Sequence, residues 1–321
     1  MEKLDIIALG EVLIDFTGRG DRQFEANPGG APANVLAAAA RLGKRTAMVG
    51  KVGTDMFGDL LENTLRSLGI DTSHLCRTAD AFTTLAFVSL DAHGNRQFSF
   101  SRLHSADLLL APAEIDAEWL KNSRIFHCGT LSLTDEPSRS ATMKALRIAR
   151  ENGVCVSVDP NLRESLWKTP SEAQHAIRTV CTQADIIKMS DYEATFLYGT
   201  TDPVDGLRRL CAEFSPKLAF LTCGPDGAYL WSGGRILHEP CVEVETVDTT
   251  GAGDSFCGAA LSWLLECGLP LASMTESDCR ALLRFAGAAA GLTTTRRGGI
   301  PAMPDRAEID ALLNRTASPY S

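Results

Sequence analysis

Residues 248–254, Asp-Thr-Thr-Gly-Ala-Gly-Asp, lead directly into a long apolar stretch with helical spacing. Gly251 and Gly253 allow the backbone to approach a ligand closely, and the helix that follows directs its free N–H groups and its positive dipole end into the same turn. Together they predict a site for an anion such as a phosphate. Asp254 would take a proton from a hydroxyl nucleophile there while the N–H groups hold the phosphate under attack. Taken alone, a Gly-x-Gly-Asp pattern is more typical of a helix start with an acidic cap.

A second glycine-rich segment, Asn-Pro-Gly-Gly-Ala-Pro-Ala-Asn at residues 27–34, predicts a turn that enters another helix. Pro32 suits the first turn of that helix, where an N–H group has no helical partner. Asn34 is polar on a helix otherwise rich in alanine and leucine. It is therefore either a ligand-binding residue or a solvent-facing or capping asparagine.

Strands and helices must position these two segments. Along the chain, short apolar runs typical of strands alternate with segments of helical periodicity. Strands are predicted at residues 5–9, 45–49, 124–128, 154–159, 185–189 and 218–222. Helices are predicted at residues 32–42, 56–68, 138–151, 252–265, 277–292 and 305–313. Near-continuous apolar strands between amphipathic helices indicate a mostly parallel sheet that is covered by helices on both faces.

Three segments break this alternation. Residues 84–90 and 97–101 predict two strands joined by a turn at residues 91–95, and residues 11–16 form a short alternating segment that no helix follows directly. These strands predict a small sheet that projects from the main domain. Because the chain has no internal repeats or long linkers, we expect this sheet to be an insertion into one domain.

Composition narrows the class of protein. The chain has 321 residues, a formal net charge of −9 and 45% hydrophobic residues, and the acidic balance argues against a nucleic-acid-binding protein. No stretch approaches the roughly 20 apolar residues of a membrane-spanning helix, and the acidic N-terminus is unlike a secretory signal. The ten cysteines include no Cys-x-x-Cys pair, which disfavours a zinc module or a thioredoxin-like site. We therefore expect a reduced, cytoplasmic protein that binds neither nucleic acid nor a membrane.

The two glycine-rich segments, in this order and separation, resemble the signature regions of the ribokinase (PfkB) carbohydrate kinase family. The similarity covers essentially the whole chain, since it continues at residues 159–163, 190–193, 222–227 and 295–301. Residues 10–15 and 159–167 are most similar to those of bacterial fructokinases.

This resemblance implies a three-layer ribokinase-like α/β fold with a small β-sheet lid. It also implies a single kinase domain over residues 1–321, into which the lid is inserted from about residues 11–28 and 82–106. The exposed edges of the lid strands predict pairing with a second copy, and therefore a homodimer.

The resemblance further implies roles for individual residues. Asp254 matches the catalytic base, and the residues matched to the anion hole are Gly251, Ala252 and Gly253. Arg163 matches an arginine near the transferred phosphate, which suits its fork of donors, although a surface ion pair is the alternative. The residues matched to sugar binding are Asp15, Gly29, Gly30, Asn34, Asp254 and Arg102. For Arg102, at the end of the predicted hairpin, the alternative is a solvated lid charge.

ATP, Mg²⁺ and K⁺ are the cofactors that the resemblance implies. The residues matched to nucleotide binding are Ser190, Glu193, Thr222, Gly224, Gly227, Gly251, Ala252, Gly253 and Gly287. Glu193 would organise Mg²⁺ through water, and Ser190 stands where the family commonly has asparagine. The positions matched to a monovalent cation site are Asp248, Thr250, Thr293, Arg296, Gly298 and Ala302.

The sequence therefore predicts an ATP-dependent sugar kinase that phosphorylates a primary hydroxyl of a ketose, D-fructose above all, to give fructose 6-phosphate. An acid, a backbone turn and an amide around the sugar suit neutral hydroxyls better than a carboxylate. Alternatives within the family are 2-keto-3-deoxygluconate, ribose or a riboside as substrate. From other classes, the alternatives are a non-catalytic sugar-sensing protein and a nicotinamide-linked oxidoreductase, which the missing first-strand fingerprint disfavours.

Overall fold

The computed structural model describes residues 3–18, 22–90, 96–268 and 271–316. The strands of this part are β1 (Leu4–Leu9), β2 (Leu13–Gly18), β3 (Phe24–Gly29), β4 (Thr46–Gly53), β5 (Asp71–Thr78), β6 (Leu85–Leu90), β7 (Arg96–Ser101), β8 (Ser123–Cys128), β9 (Cys155–Val158), β10 (Ile186–Ser190), β11 (Leu218–Thr222), β12 (Ala228–Ser232) and β13 (Arg235–Glu239). Its helices are α1 (Ala31–Arg41), α2 (Met56–Ser67), α3 (Ala117–Leu120), α4 (Ser138–Glu151), α5 (Pro170–Cys181), α6 (Asp191–Tyr198), α7 (Pro203–Phe214), α8 (Ala252–Cys267), α9 (Glu276–Thr294) and α10 (Arg306–Thr316).

Nine of the described strands form one sheet in the order β13-β12-β11-β10-β9-β8-β1-β4-β5. Neighbours pair in parallel from β5 to β11, and β12 and β13 pair antiparallel at one edge. Alternate residues of β1 face opposite cores: Ile6 and Ala8 pack in a cluster with α1, α8 and α9, whereas Ile7 and Leu9 pack with α4, α5 and α7. The predicted three-layer α/β arrangement is thus confirmed.

A second sheet has four described strands in the order β3-β2-β6-β7, with β2 and β6 parallel and the outer pairs antiparallel. The rings of Phe16 and Phe87 stack with centroids 5.3 Å apart, and Phe57 of α2 meets Phe16 edge-on at 5.6 Å. These aromatic contacts pack the small sheet onto the main body. Strands β6 and β7 match the predicted pair, while the predicted turn at residues 91–95 lies outside the described residues.

The glycine-rich segment at residues 27–34 differs from the prediction. Residues 27–29 are strand rather than turn, because they pair with residues 13–15 of β2. Pro28 fits there since β3 is an edge strand of the small sheet, where a missing N–H group breaks no ladder. Gly30 is then the single residue between β3 and α1, and its φ of 109° suits glycine. The small sheet therefore joins the first helix of the main body without a loop.

Several elements were not predicted, namely β3, β5, β12, β13, α3 and α5 to α7. The others lie within a few residues of their predicted bounds. No helix among the described residues is both long and apolar enough to span a membrane.

Candidate active site

Two cavities lie beyond the carboxyl ends of the parallel strands, the usual place for ligands in such sheets. The smaller, of about 200 Å³, is lined by residues from both sheets and from the start of α8. The larger, of about 950 Å³, lies between the β12–β13 hairpin and helices α8 and α9. Thr249 and Gly253 line both cavities. A chemical group transferred from a ligand in one cavity to a ligand in the other would therefore pass the turn at the start of α8.

Asp254 is half-buried in the first turn of α8 and faces the smaller cavity. Its Oδ2 accepts a hydrogen bond of 2.8 Å from Nδ2 of Asn34, which lies on α1. Burial and the charge of Asp159 raise the pKa of Asp254 to about 6, against the opposing effects of Asn34 and two cations. At neutral pH this carboxylate is mostly ionised and able to accept a proton, as a general base must.

Asn34 also carries an acceptor that is open to a ligand. Its Oδ1 is buried and meets no donor among the described residues, and such a group is costly unless a ligand or water satisfies it. The structure thus places Asn34 beside Asp254, as predicted, with its carboxamide oxygen available to a sugar hydroxyl. The solvent-facing alternative is wrong, since Asn34 is buried.

The turn before α8 has the features of an anion site. Gly251 occupies the N-cap with a φ of 76°, and a Cβ atom there would lie 3.1 Å from Cα of Gly299. Ala252 and Gly253 open the helix; the N–H of Ala252 donates weakly to the Thr249 carbonyl at 3.3 Å, and that of Gly253 has no acceptor within the helix. The turn thus has the glycines and the helix start on which the predicted anion site depends.

Lys188 is a site residue that sequence reasoning missed. It lies near the end of β10, lines the smaller cavity, and donates to Oδ2 of Asp159 at 2.8 Å. Burial alone would lower the pKa of Lys188, but the charges of Asp159 and Glu193 raise it, so the ammonium stays charged. The signal available in the sequence was a lysine inside the otherwise apolar run Ile-Ile-Lys-Met at residues 186–189.

Glu11 is a second missed residue of the smaller cavity. Only 2% of it is exposed, and its Oε1 accepts a 3.1 Å hydrogen bond from the N–H of Ala31 at the start of α1. Burial raises the pKa of Glu11 to about 7. The sequence signal was an acid between Gly10 and Val12, directly after an apolar strand.

The remaining residues predicted to bind the sugar differ in whether they lie at the smaller cavity. Asp15 and Gly30 line the smaller cavity, and Gly29 leaves room for Asp15, since a Cβ atom at Gly29 would lie 2.5 Å from Asp15 Oδ2. Arg102 is different because it is not among the residues that line this cavity in the described chain.

Arg102 is 5% exposed and forms a buried ion pair with Asp107 at 2.7 Å. Its Nη1 donates to Thr134 Oγ1 at 2.7 Å and its Nη2 to the carbonyl of Leu131 at 2.9 Å. The alternative of a solvated lid charge is therefore wrong. Arg102 instead ties the end of β7 to the main body.

Arg163 lines the smaller cavity on a loop that Glu193 holds in place. Glu193 Oε1 accepts from the N–H of Leu162 at 2.7 Å, and its Oε2 accepts from the N–H and Oγ of Ser190 at 2.7 and 2.8 Å. Ser190 caps α6 in return, since its Oγ accepts from the N–H of Glu193. Neither Ser190 nor Glu193 is among the described residues that line the two cavities.

Most of the residues predicted to bind the nucleotide line the larger cavity. The matched residues that line it are Thr222, Gly224, Gly227, Gly287, Ala252 and Gly253. Its far wall is apolar and includes Phe256, Leu283 and Ala290. A Cβ atom at Gly287 would have no neighbour within 4 Å, so this position leaves space for a flat ring.

The positions predicted for a monovalent cation lie before α8, at the end of α9 and in the segment that follows α9, and Asp248 links the first region to the last. Its Oδ1 accepts from the N–H and Oγ1 of Thr250 at 3.0 and 2.8 Å, and its Oδ2 accepts from the N–H of Gly298 at 3.0 Å. Thr293 and Ala302 are buried nearby, whereas the Arg296 side chain pairs with Glu308. In the described chain, no three His, Cys, Asp or Glu side chains cluster as metal ligands, so a cation here would depend largely on backbone oxygens.

Fold and site together define the class of this protein: it is a phosphotransferase with an alcohol group as acceptor. Three comparisons with known proteins agree. A family model for the pfkB family of carbohydrate kinases matches residues 3–306. Probable fructokinase-2 from Arabidopsis thaliana is 42% identical over 315 residues, which cover 96% of this chain and 95% of the relative.

Solved structures show the same likeness. Fructokinase with bound ATP from Xylella fastidiosa superposes with a TM-score of 0.89 at 31% identity, over 98% of this chain and 99% of that chain. A double mutant of fructokinase from Vibrio cholerae O395, in a form with fructose, ADP and potassium ion bound, superposes with a TM-score of 0.87 at 32% identity, over 98% and 99%. The chain belongs to the pfkB family of carbohydrate kinases, which confirms the resemblance identified in its sequence.

Proposed function

We propose that this enzyme transfers the γ-phosphate of ATP to D-fructose and so produces fructose 6-phosphate. The observation that carries the proposal is the position of Asp254, whose carboxylate faces the smaller cavity at the turn shared with the larger one. The relatives are fructokinases, one with ATP bound and another with fructose and ADP bound, and this supports the predicted activity.

In the proposed mechanism, the primary hydroxyl of the sugar lies against Asp254 and Asn34. Its oxygen attacks the γ-phosphorus in line, the bond to the bridging oxygen of ADP breaks, and the hydroxyl proton passes to Asp254 Oδ. The N–H groups of the turn at residues 251–253 and the guanidinium of Arg163 receive the charge on the phosphoryl oxygens. Such catalysis consists mainly of positioning and electrostatic stabilisation.

The charges around the smaller cavity favour a neutral sugar. Glu11 and Asp15 line this cavity. Both can bind hydroxyl groups, and the Asp15 carboxylate, joined by the ionised fraction of Glu11, repels a substrate carboxylate. Arg102 is already occupied by Asp107, Thr134 and Leu131, so neutralising a substrate carboxylate would require it to leave a buried ion pair. D-fructose is therefore favoured over 2-keto-3-deoxygluconate.

Mg²⁺ would reach the site with ATP. The described residues hold no cluster of three acidic or other ligating side chains, and Mg²⁺ characteristically keeps several waters and few carboxylates. Glu193 fits contact through water only, because its two oxygens already accept three hydrogen bonds from Leu162 and Ser190. When bound, the metal neutralises part of the charge on the triphosphate.

A monovalent cation such as K⁺ fits between the loop before α8 and the segment around the end of α9, which Asp248 links. One carboxylate and the nearby carbonyl groups of Thr250, Thr293, Arg296, Gly298 and Ala302 would supply only oxygen ligands. The bound charge would lie just before the anion-binding turn, which begins one residue after Thr250.

Three further features belong to the proposal. The kinase is a single domain over residues 1–321 whose small sheet serves as the lid. Strands β3 and β7 form the edges of that sheet among the described residues, and such edges support a homodimer through the lid.

The ten cysteines are all unpaired, which supports a reducing, cytoplasmic location.

ADP release with MgATP and a panel of D-fructose, ribose, a riboside and 2-keto-3-deoxygluconate tests the proposal. We expect D-fructose to have the highest kcat/KM. A tenfold preference for 2-keto-3-deoxygluconate, about 1.4 kcal/mol of transition-state free energy, would contradict the charge argument. Binding of sugar without any ADP release would favour the sugar-sensing alternative.

A further inference from the structure

Lys188 is a buried cation to which the mechanism above gives no task. Only 7% of the residue is exposed. An ammonium group in such a place requires compensation by paired charge, and Asp159, itself 2% exposed, supplies one partner. A lysine kept merely to balance Asp159 would need no access to a cavity, yet Lys188 lines the smaller one.

The position of the ammonium relative to Gly253 is the decisive observation. Gly253 lines both cavities and so marks the path of the transferred group. A Cβ atom on Gly253 would lie 3.0 Å from Lys188 Nζ and 3.7 Å from its Cε. The absence of a side chain at Gly253 therefore lets the ammonium lie directly against the anion-binding turn.

Lys188 also has N–H donors that are not used in its ion pair with Asp159. An ammonium carries three N–H groups, and among the described residues Asp159 is the one hydrogen-bond acceptor that Lys188 meets. Two N–H groups therefore remain for a ligand. They lie next to the N–H groups of α8, so a phosphoryl oxygen held by the turn would be within reach of both donor types.

We propose that Lys188 is a further catalytic residue, which binds a non-bridging oxygen of the γ-phosphoryl group during transfer. This inference rests on the proposed function of the Gly251–Gly253 turn and Asp254. Lys188 keeps its proton throughout: one P–O bond forms to the sugar, one breaks to ADP, and the hydroxyl proton goes to Asp254. The ammonium stabilises charge that moves onto the phosphoryl oxygens.

Lys188→Met tests the proposal, with Lys51→Met as the matched control. Lys51 is a half-buried lysine that pairs with Glu114 at 2.8 Å and lies outside both cavities in the described chain. We expect Lys188→Met to lower kcat about 100- to 1,000-fold, as removal of one donor to a transition-state anion does, and to change KM for fructose by less than threefold. Lys51→Met should keep wild-type turnover. A Lys188→Met enzyme that keeps more than a tenth of wild-type kcat would overturn the proposal.

A double variant separates catalysis from charge balance. Removing one partner of a buried ion pair destabilises a protein because the other charge is left unpaired. Asp159→Asn with Lys188→Met removes both charges at once, and circular dichroism and thermal unfolding verify that the variant is folded. Recovery of kcat to within tenfold of wild type would show that Lys188 only neutralises Asp159, which overturns the proposal. Continued loss of kcat in the folded double variant supports it.

Binding of a phosphoryl mimic provides a measurement besides activity. Calorimetry with ADP, fructose and aluminium fluoride should show tight ternary binding to the wild type and at least 30-fold weaker binding to the double variant, while ADP alone binds both with equal affinity. Equal affinity of both proteins for the mimic would overturn the role of Lys188. A wild-type enzyme that releases no ADP with fructose would instead refute the proposed function, so the two failures are distinguishable.

Discussion

Asp254→Asn removes the proposed base with little change in shape. The amide is nearly the size of the carboxylate, and its oxygen can still accept the 2.8 Å hydrogen bond that Asn34 donates. The change therefore leaves the cavity and the sugar ligands in place but removes the group that takes the proton. General bases typically contribute about 10²- to 10⁴-fold to a rate, so we expect kcat to fall by that factor at pH 7.

The acid limb of the pH profile follows from the same carboxylate. Because the pKa of Asp254 is about 6, about nine-tenths of it is ionised at pH 7 and about one-tenth at pH 5. The base works only when ionised, so kcat/KM should fall about tenfold per unit below pH 6. Glu11, with a pKa of about 7 in the same cavity, is the competing source of such a limb. We expect Glu11→Gln to keep the limb near pH 6.

Steady-state ADP release and calorimetry together decide the outcome. Fructose and ATP should bind Asp254→Asn with affinities within a few-fold of the wild type. Retention of more than a tenth of wild-type kcat at pH 7 would refute the assignment of the base. Loss of the acid limb in Glu11→Gln would assign the titration to Glu11 instead.

Three further predictions concern the metal, the cation and the fold. Glu193→Gln should raise the Mg²⁺ concentration for half-maximal rate more than it raises KM for fructose, and superimposable Mg²⁺ titrations of variant and wild type would contradict the proposed role of Glu193. Turnover should be faster in K⁺ than in Na⁺ or a bulky organic cation, whereas equal rates in all three would remove the cation site. Asp55 caps α2 and also accepts from the N–H of Thr83 at 2.8 Å, so Asp55→Ala should lower the free energy of unfolding in urea by about 2 kcal/mol; a loss below about 0.5 kcal/mol would show that these bonds contribute little.

The anion-binding turn could be predicted because its chemistry is local. Two glycines, a helix start and Asp254 lie within four consecutive residues, so their mutual geometry follows from the backbone alone. Strand β1 could also be predicted from local sequence. Burial on both faces of the sheet requires a nearly continuous apolar run, and that run is visible in the sequence. Such features require no knowledge of how distant segments meet.

The contacts of Lys188 and Arg102 could not be predicted because they are made with segments distant in the sequence. Lys188 meets Gly253, 65 positions further along the chain, only because β10 ends beside the start of α8. Arg102 is buried by Thr134 and by the Leu131 carbonyl, which no hairpin pattern reveals. The β12–β13 hairpin, by contrast, had a usable signal in Gly233 and Gly234, whose positive φ values of 56° and 84° suit a two-residue turn.

The glycine contacts around the smaller cavity determine where a protein engineer can alter its selectivity. A Cβ atom at Gly30 would lie 2.4 Å from the Glu11 carbonyl, so this wall accepts no larger residue without backbone movement. A Cβ atom at Gly299 would lie 3.0 Å from Asn34 Oδ1, so a larger residue there would displace the Asn34 carboxamide. Leu13, Phe100 and Leu131 also line the cavity, and these three carry side chains that can be exchanged. Because they come from β2, β7 and the main body, a library of substitutions at these positions samples both sides of the sugar. The anion-binding turn and Asp254 stay unchanged.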